Sequence, residues 1–520
     1  MSDRSRDATA LAMSTLAFTL CFAVWTLNGV LVTFLVENGL FRWDTAQIGW
    51  LIGIPVLTGS VMRLPVGLLT DRFGGRRVYT LLLLLAALPT WLLGSVQSYQ
   101  GFLLASLGFG LSGAAFAVGI AYSSVWFSKA RQGTALGIFG AGNAGSALTS
   151  MGAPLLLKKL TAGGANLEAW RMLPKLYAVV LLVMAVAFFL LTHEKKAEGA
   201  KGKTFVQMLS PLRHVRVWRF GLYYFLVFGC FVALAQWLIP YYVGVYGMSL
   251  AMAGLLASLF SLPSGLIRAA GGWMSDRFGA RAVMYWTFGL SIFACAALMV
   301  PRMSIESPGP SVLAQVGGVV TEVAPGRIVV GDLAYAFRTK GTELEVQNEG
   351  MLVLPQSRFW QTPAVKVGDR VKKKQLLASG TTHVFFQANV WIFTFLVFVV
   401  GIVWGIGKAA VYRYIPDYFP DEVGVVGGIV GVIGGLGGFV GPILFGYLLR
   451  ATGLWTTMWL FLAALSVICL VWLHLVVRRL TREQNETLFT RFEHPKPAPV
   501  PALAPGPAPS LARGDAAEPA

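Results

Sequence analysis

The chain has 520 residues, of which 56% are hydrophobic and only 13% are charged, and its mean hydropathy is +0.65. So few charged residues do not cover a water-facing surface of this length, which excludes an ordinary soluble protein and indicates the lipid bilayer as solvent. The net charge of +18 is spread over short segments between apolar runs. This excludes nucleic acid as a partner, because a nucleic-acid-binding domain concentrates its cations on one face.

Apolar runs of about 20 residues, the length that crosses a bilayer, recur along the sequence. The first run follows Arg4 and Arg6 and is too long for the core of a signal peptide, so we interpret it as a membrane span. The pattern predicts twelve spans, at residues 11–36, 46–70, 78–97, 100–126, 132–157, 172–192, 217–243, 250–274, 281–300, 388–412, 423–449 and 454–477.

The loops between these spans differ in charge. Positively charged loops stay on the cytoplasmic side of a membrane, so we expect both termini in the cytoplasm and a multi-pass protein of the inner (cytoplasmic) membrane. The loops assigned to the cytoplasm contain Arg72, Arg76, Arg77, Lys129, Arg131, the cationic stretch 195–219, Arg277, Arg281, Arg413, Arg478 and Arg479.

The two halves of the chain repeat each other. Residues 63–76 match residues 268–281 at an offset of 205 (268 − 63 = 205), and residues 133–147 match residues 424–438 at an offset of 291 (424 − 133 = 291). Duplicated six-helix halves are typical of transporters that bind their substrate between the halves. We predict an all-α membrane protein with an N-terminal half at 1–193, a cytoplasmic linker at 194–216 and a C-terminal half at 217–300 and 388–480.

The C-terminal half is interrupted by residues 301–387, in which short β-rich runs alternate with Gly, Pro and charged residues. The run Val365–Ala378 resembles part of a lipoyl/biotinyl-type β-sandwich but carries no convincing modified-lysine motif, so we predict a small accessory β-domain. The loop charges place this insert, between the ninth and tenth helices, outside the cytoplasm. The tail at 481–520 is rich in Pro and Ala after Glu493 and is expected to be disordered.

Arg63 and Arg268 are equivalent in the repeat, and each lies inside an apolar span, about 12 Å from its cytoplasmic end. An arginine at mid-span costs roughly 2.5–3.5 kcal/mol on insertion scales. Snorkelling to the interface or pairing with an acid would satisfy it, but the depth is large and no carboxylate lies in mid-span. We therefore expect both arginines to face a central cavity, where two guanidinium groups suit a flat oxyanion.

Residues 67–76 and their repeat at 272–281 share the pattern Gly-x-x-x-Asp-Arg-x-Gly-x-Arg, which resembles the inter-helix loop signature of the major facilitator superfamily. The motif carries no information about the substrate, and its expected role is conformational. The residues expected to latch the cytoplasmic ends of the helices are Asp71, Arg72, Asp276 and Arg277.

The fifth and eleventh spans carry small residues at alternating spacings of four and three, which lets helix backbones approach closely and slide. We expect these two glycine seams to face each other across the interface between the halves, with Gly137, Gly140, Gly428 and Gly431 as conformational positions. Asn143 lies in the same fifth span, where it either joins helices together or donates a hydrogen bond to the substrate.

Together these features resemble the nitrate/nitrite porter (NarK-type) family of the major facilitator superfamily. The resemblance rests on the paired arginines, the glycine seams, the fourth-span segment Gly113–Phe116 and the seventh-span pattern Leu222-Tyr-Tyr224-x-x-x-Phe228-Gly229. It covers all twelve spans but neither the insert nor the tail. It implies the major facilitator fold and secondary active transport of nitrate, nitrite or both.

In that family the two arginines bind the anion, while aromatic side chains of the fourth and seventh helices pack against its plane. The resemblance assigns this role to Phe116, Tyr224 and Phe228, with Asn143 close by. The chain departs from the family pattern at Lys408, where a small polar residue is expected. Lys408 is either a coupling residue beside the cavity or a side chain that snorkels to the cytoplasmic rim.

Two coupling modes are compatible with the sequence, nitrate/proton symport and nitrate/nitrite antiport. The alternatives are a carrier of another small monovalent anion, such as a short organic carboxylate, and an anion receptor that uses the insert as its sensor. We do not expect an enzyme, because the five histidines are scattered and form no catalytic or metal-binding group. Neither a metal nor a cofactor is predicted, and the expected partners are the anion, a proton and membrane lipid around a monomeric protein.

Overall fold

A computed structural model describes residues 3–127, 129–195, 209–300, 303–340, 356–386, 388–419 and 423–493. The chain divides into two compact units, residues 1–470 and 471–520. The first unit contains the helical halves and the β insert, and the second begins inside the last helix.

The N-terminal half consists of α-helices joined by short turns, and several of its membrane spans are made of two consecutive helices. These are α1 (Asp3–Trp25), α2 (Leu27–Glu37), α3 (Thr45–Val61), α4 (Arg63–Phe73), α5 (Gly75–Leu93), α6 (Tyr99–Phe109), α7 (Ala115–Ser124), α8 (Lys129–Gly140), α9 (Gly145–Leu160) and α10 (Met172–Leu191). Turns of 3-10 helix at Gly110–Ala114 and Ala141–Ala144 join α6 to α7 and α8 to α9.

The C-terminal half has the same plan and is interrupted by the insert between its α15 and α16. Its helices are α11 (Val215–Tyr224), α12 (Phe231–Tyr246), α13 (Leu250–Leu266), α14 (Arg268–Phe278), α15 (Ala280–Leu298), α16 (Val390–Tyr418), α17 (Val423–Thr452) and α18 (Thr457–Glu493). A π-helical turn, Phe225–Cys230, joins α11 to α12.

Each predicted span coincides with one helix or with two consecutive helices. Within the described residues, ten helices are long and apolar enough to cross a membrane, or eleven if the bent pair α13 and α14 counts as one span. The fifth predicted span corresponds to α8, its 3-10 turn and α9. The predicted helical membrane fold with a small β insert is therefore confirmed.

The last helix is longer than the sequence analysis predicted. It continues to Glu493, so the tail predicted to be disordered from residue 481 begins as helix. Residues 481–493 include three Glu and two Arg, which favour helix, and no Pro or Gly, whereas the prediction of disorder depended on the Pro and Ala that follow. The rest of that tail, 494–520, lies outside the described residues.

Both mid-span arginines stand at breaks in their spans. Arg63 is the first residue of α4, and Arg268 is the first residue of α14, where the span bends by 46°. Pro65 accounts for the first break, since its ring lacks the backbone donor and clashes with the carbonyl four residues earlier. Pro263 lies about one turn before the second break. Both spans therefore change direction at the depth where the cations lie.

The insert consists of two antiparallel sheets with a common core. Their strands are β1 (Met303–Leu313), β2 (Gly318–Ala324), β3 (Arg327–Val330), β4 (Leu333–Ala336), β5 (Gln356–Pro363), β6 (Arg370–Val371) and β7 (Leu376–Phe386), in the orders β1-β7-β5 and β4-β3-β2-β6. Val320 and Ile328 from one sheet and Leu377 from the other belong to one hydrophobic cluster. The insert thus has a core of its own, while its likeness to lipoyl and biotinyl domains stays a prediction.

The two halves close against each other at the end of the bundle that carries Asp44, called here the Asp44 end. Asp44 forms an ion pair with Arg450 of the other half, with 3.2 Å between Oδ2 and Nη1. The hydroxyl of Thr45 donates a hydrogen bond to the Gly446 carbonyl at 3.1 Å. These contacts hold α3 of the N-terminal half against α17 of the C-terminal half.

The opposite end of the bundle, which carries Asp71 and is called here the Asp71 end, is less tightly packed. A Cβ atom added at Gly137 or Gly272 meets no atom within 4 Å. A Cβ atom added at Gly254, towards the Asp44 end, collides with the backbone of α9 in the other half. Among the described contacts between the halves, the ion pair and the closest backbone approaches therefore lie towards the Asp44 end, which is closed.

Gln236 of α12 lies inside the closed part of the interface between the halves. Its side chain is fully buried, and neither amide atom has a hydrogen-bond partner in the described part of the chain. Its backbone packs so closely on Gly29 of α2 that no Cβ fits there. A buried polar group without a partner costs about 1–3 kcal/mol. This cost weakens the closed state, because opening the Asp44 end exposes the amide to water.

We expect Gln236→Met to favour closure of the Asp44 end. Val56, which is buried against Gly438 of the other half, is replaced by cysteine after the four native cysteines are changed to alanine. Labelling of this cysteine by a membrane-impermeant maleimide in proteoliposomes should slow by about fivefold or more, as the cost of the unpartnered amide implies. Gln97→Met, at an exposed position, is the matched control, and faster labelling of the Gln236 variant would contradict the argument.

A second expectation concerns the turn before β7, where Lys374 has a φ of 69°. The Gln375 N–H donates to the Lys372 carbonyl at 3.0 Å across this turn. Lys374→Gly should stabilise the insert by about 1 kcal/mol, because glycine adopts this conformation without steric cost. The measurement is the urea concentration at which chymotrypsin cleaves the insert of the full-length protein. Lys373→Gly, which has no positive φ to relieve, should not raise that concentration.

Candidate anion-binding site between the two halves

Arg63 lies at the interface between the halves and is only 4% exposed. Its Nη1 donates a hydrogen bond to the Gly431 carbonyl of α17, in the other half, at 2.8 Å. Its Cζ lies 5.1 Å from the ring centre of Phe228, 5.3 Å from that of Phe116 and 5.7 Å from that of Trp25. At these distances an aromatic face attracts a cation, so groups from both halves hold this arginine.

Arg268 approaches the same place from the C-terminal half. Its Cζ lies 5.8 Å from the ring centres of both Phe116 and Tyr412, so Phe116 is within cation–π reach of both arginines. Its Nη1 is buried without a hydrogen-bond partner among the described residues, as is the Nε of Arg63. No ion pair of the described residues includes either arginine. The structure thus brings two guanidinium groups together without a carboxylate to neutralise them.

Tyr224 and Phe228 stack on each other beside Arg63. Their ring centres are 4.9 Å apart and their planes differ by 9°, while Tyr412 meets Tyr224 edge-on at 4.9 Å. Phe228 belongs to the π-helical turn between α11 and α12, and such a turn interrupts the regular helical spacing, often at a functional site. The two aromatic residues named from the seventh span therefore form a wall against one of the arginines.

Asn143 lies in the 3-10 turn between α8 and α9 and is almost fully buried. Its Nδ2 donates a hydrogen bond to the Gly140 carbonyl at 3.0 Å, and its Oδ1 has no partner within the described ranges. Its Cβ faces Gly265 of α13, three residues before Arg268. Asn143 therefore contacts the eighth span near the second arginine and retains one amide hydrogen for a ligand.

The glycine seams do not face each other as predicted. A Cβ atom added at Gly140 would lie 4.0 Å from Cδ of Arg268, and one added at Gly431 would lie 3.7 Å from Nη1 of Arg63. Gly428 lies against α4, the helix that Arg63 begins. Each seam thus packs on the arginine-bearing span of the opposite half. The prediction was wrong because the small residues leave room for an arginine side chain rather than for a second glycine helix.

The predicted latch at the Asp71 end includes residues that the sequence analysis did not assign to it. Arg413 forms ion pairs through Nε with Asp276 at 2.8 Å and through Nη1 with Asp417 at 2.7 Å. These contacts join α14 to α16 inside the C-terminal half and do not cross between the halves. Arg413 had been identified only as a loop charge, and Asp417, one turn after it, gave a spacing that could have indicated the pair.

The other three latch residues, Asp71, Arg72 and Arg277, are exposed at the Asp71 end. Arg72 and Arg277 each lie over an aromatic ring of their own helix, with Cζ at 5.4 Å and 5.7 Å from the ring centre. Their role in latching the helices stays a prediction.

Lys408 of α16 is fully buried. Its Nζ donates a hydrogen bond to the hydroxyl of Ser264 in α13 at 3.1 Å and lies 3.0 Å from the ring centre of Phe231. The alternative that Lys408 snorkels to the cytoplasmic rim is therefore wrong, because its ammonium group is bonded inside the C-terminal half. Its role in coupling stays a hypothesis.

Three side chains of the site were not predicted. The Trp25 indole donates a hydrogen bond to a backbone carbonyl of α3 at 2.9 Å, which fixes the ring beside Arg63. The hydroxyl of Ser60, about one turn before Arg63, is buried and has no partner that the structure describes. Tyr412 follows Lys408 by one turn on α16, and this spacing could have placed it on the same face.

Comparisons with known proteins show the family to which the chain belongs. The chain matches the Major Facilitator Superfamily over residues 13–333 and 362–510. It is 40% identical to NarK1 of Thermus thermophilus, a probable nitrate/nitrite antiporter, over 488 residues that make up 93% of this chain and 94% of that protein. It is 30% identical to NarK2 of Mycobacterium tuberculosis H37Rv, a probable nitrate/nitrite transporter, over 309 residues, which are 58% of this chain and 75% of that protein.

Solved structures share the fold. A bacterial homologue of the human lysosomal transporter Spinster, in an inward-facing and occupied conformation, aligns with a TM-score of 0.62 at 14% identity, over 91% of this chain and 97% of that one. The transporter FucP, in its outward conformation, aligns with a TM-score of 0.51 at 13% identity, over 90% of this chain and 99% of that one.

The superfamily match spans most of the chain, and the Thermus relative aligns over nearly its whole length. The expectation of a carrier rather than an enzyme is thereby confirmed. The chain belongs to the nitrate/nitrite porter (NarK-type) family of the major facilitator superfamily.

Proposed function

We propose that the protein carries nitrate, nitrite or both across the cytoplasmic membrane by alternating access. The observation that supports this most strongly is the pair of guanidinium groups, Arg63 and Arg268, which share the ring of Phe116 and have no acid beside them among the described residues. The relatives described as nitrate/nitrite antiporter and transporter support the choice of anion.

The chemistry of the site suits a small planar oxyanion. A guanidinium group presents N–H donors in one plane and binds oxygen atoms in pairs. The Nε of Arg63, the Nη1 of Arg268 and the hydroxyl of Ser60 all lack a partner in the described part of the chain and are buried. The rings of Phe116 and Phe228 supply flat surfaces beside these donors. A flat anion placed between the halves would receive donors at its edge and aromatic rings on its faces.

The same charges link binding to movement of the halves. The space between Arg63 and Arg268 at the interface of the halves is called here the chamber. When the chamber is empty, closing it removes water from the two like charges, which repel each other more strongly as the surroundings become less polar. A bound monovalent anion compensates part of that charge. The loaded carrier therefore closes and changes its direction more readily than the empty one.

We assign the Asp71 end of the bundle to the cytoplasm, because the cationic loops lie there. In this orientation both termini are cytoplasmic, the insert lies outside, and the closed Asp44 end faces away from the cytoplasm.

The arginines by themselves favour exchange. An arginine keeps its charge under physiological conditions, so an empty chamber stays doubly positive on both sides of the membrane. In antiport an anion occupies the site on every passage, which satisfies this requirement. Symport with a proton needs a further group whose charge changes when the anion leaves.

We expect Arg63→Lys and Arg268→Lys to reduce uptake of isotope-labelled nitrate by proteoliposomes by about tenfold or more, and the alanine variants to abolish it. Lysine keeps the charge but loses the planar fork, and a hydrogen bond to a charged group contributes about 1.5–3 kcal/mol. Arg171→Lys is the control, because Arg171 pairs with Glu168 away from the chamber. Full uptake by an alanine variant would refute the proposed site.

Competition separates nitrate carriage from carriage of an organic carboxylate. Unlabelled nitrite should reduce labelled nitrate uptake at concentrations similar to those of nitrate itself, because both are small flat oxyanions. Lactate, which is larger and not planar, should compete at least tenfold less well. Stronger inhibition by lactate than by nitrite would favour the organic carboxylate.

Removal of residues 301–387, replaced by a short Gly/Ser linker, should leave measurable nitrate uptake. The insert has its own hydrophobic core, and the arginine chamber is built entirely from helices. Uptake is compared with that of the full-length protein at equal protein content in the vesicles. Complete loss of uptake in a correctly folded variant would favour a function that resides in the insert.

A further inference from the structure

Lys408 is a buried cation that the proposed function does not require. It lies on α16 with no exposed surface, and its described contacts are the Ser264 hydroxyl and the face of Phe231. A methionine would fill a similar volume without the cost of burying a charge. A lysine at such a position indicates a use for its charge.

The groups around Lys408 come from every helix packed against α16. Ser264 of α13 is its hydrogen-bond partner, and Arg268 of α14, one turn further on, is the charged residue within electrostatic range. Phe231, the first residue of α12, places its ring face under the ammonium group. From α15, Thr287 packs beside the neighbouring Gly407. The charged residues of α15 and α17 lie at the ends of those helices, and those of α11 are Arg216 and Arg219 in its first half. None of the described contacts of Lys408 is with an acid.

The position is also asymmetric. The repeat offset of 291 makes Lys408 equivalent to Ala117 (408 − 117 = 291), so one half carries an ionisable group where the other carries a methyl group. The two arginines obey the repeat, whereas this lysine does not. Lys408 therefore adds, on one side of the chamber only, a group that can gain or lose a proton, which the two arginines cannot do.

We propose that Lys408 is a proton-binding site that couples the movement of the anion to the movement of one proton. The inference rests on the proposed function and deepens it, since it names the co-transported ion. Lys408 adds a third positive charge to those of Arg63 and Arg268. With the anion bound, this charge is partly compensated, and Lys408 keeps its proton. When the anion leaves, Lys408 releases its proton to water, and the chamber returns with two charges instead of three.

The charges balance in each cycle. One monovalent anion and one proton enter together, the N–H bond of the ammonium group breaks on the far side, and the neutral amine regains a proton from water on the near side. The cycle moves no net charge. Anion binding and proton binding strengthen each other equally, because coupling between two binding equilibria is reciprocal.

The test uses the full-length protein in proteoliposomes that contain a trapped pH-sensitive dye. An inward nitrate gradient should acidify the interior by close to one proton for each labelled nitrate taken up, and a protonophore should collapse the signal. Lys408→Gln and Lys408→Met should lose at least nine-tenths of the acidification but keep the exchange of labelled for unlabelled nitrate within about threefold. Lys175→Gln, which removes a lysine of α10 that lies over Trp91, should change neither measurement.

The outcomes separate this inference from the proposed function. Normal acidification by either Lys408 variant would overturn it, and so would a wild-type protein that exchanges nitrate without moving protons; nitrate carriage would survive both results. If both variants lose exchange together with proton movement, the lysine is structural and the inference is wrong. A wild-type protein that moves no nitrate in any assay would instead overturn the proposed function, and this inference with it.

Discussion

Two positive charges, with no carboxylate beside them among the described residues, lie in the interior of this membrane protein. Placing an arginine at mid-membrane costs roughly 2.5–3.5 kcal/mol. A cation–π contact returns about 0.5–2 kcal/mol, and a hydrogen bond to a charged group about 1.5–3 kcal/mol. Arg63, with three rings and one carbonyl, is therefore better compensated than Arg268, with two rings. In the proposed function, the charge left uncompensated on Arg268 is the one that an anion would neutralise.

The local structure of the helices accommodates the two buried arginine side chains. Each arginine begins a new helical segment after a break, and each faces a glycine of the opposite half, Gly431 for Arg63 and Gly140 for Arg268. A Cβ atom added at either glycine would lie at van der Waals distance from the arginine, and a longer side chain would enter the space of the arginine. The two glycines thus have two effects. They leave space for the arginine side chains, and they let the spans of the two halves pack closely.

The sequence predicted the features that depend on neighbouring residues in the chain: the spans, the repeat, the β insert and the depth of the two arginines. It did not predict which spans meet across the halves, so the glycine seams were paired wrongly and the ion pair of Arg413 with Asp276 was missed. Burial of Lys408 could not be decided either. A lysine four carbons long reaches a helix partner or the membrane rim equally well, and only the position of Ser264 distinguishes them.

The repeat makes Arg63 and Arg268 equivalent, yet only Arg63 has a described hydrogen bond across the halves, to the Gly431 carbonyl. That bond joins elements that must separate or slide when the carrier changes direction. Under the proposed function, an anion would compete for the N–H groups of the same guanidinium, and its binding would weaken this contact between the halves. Arg268, whose described contacts are aromatic, would hold the anion without such a constraint. The proposed site would therefore couple binding to movement through the arginine that already bridges the halves.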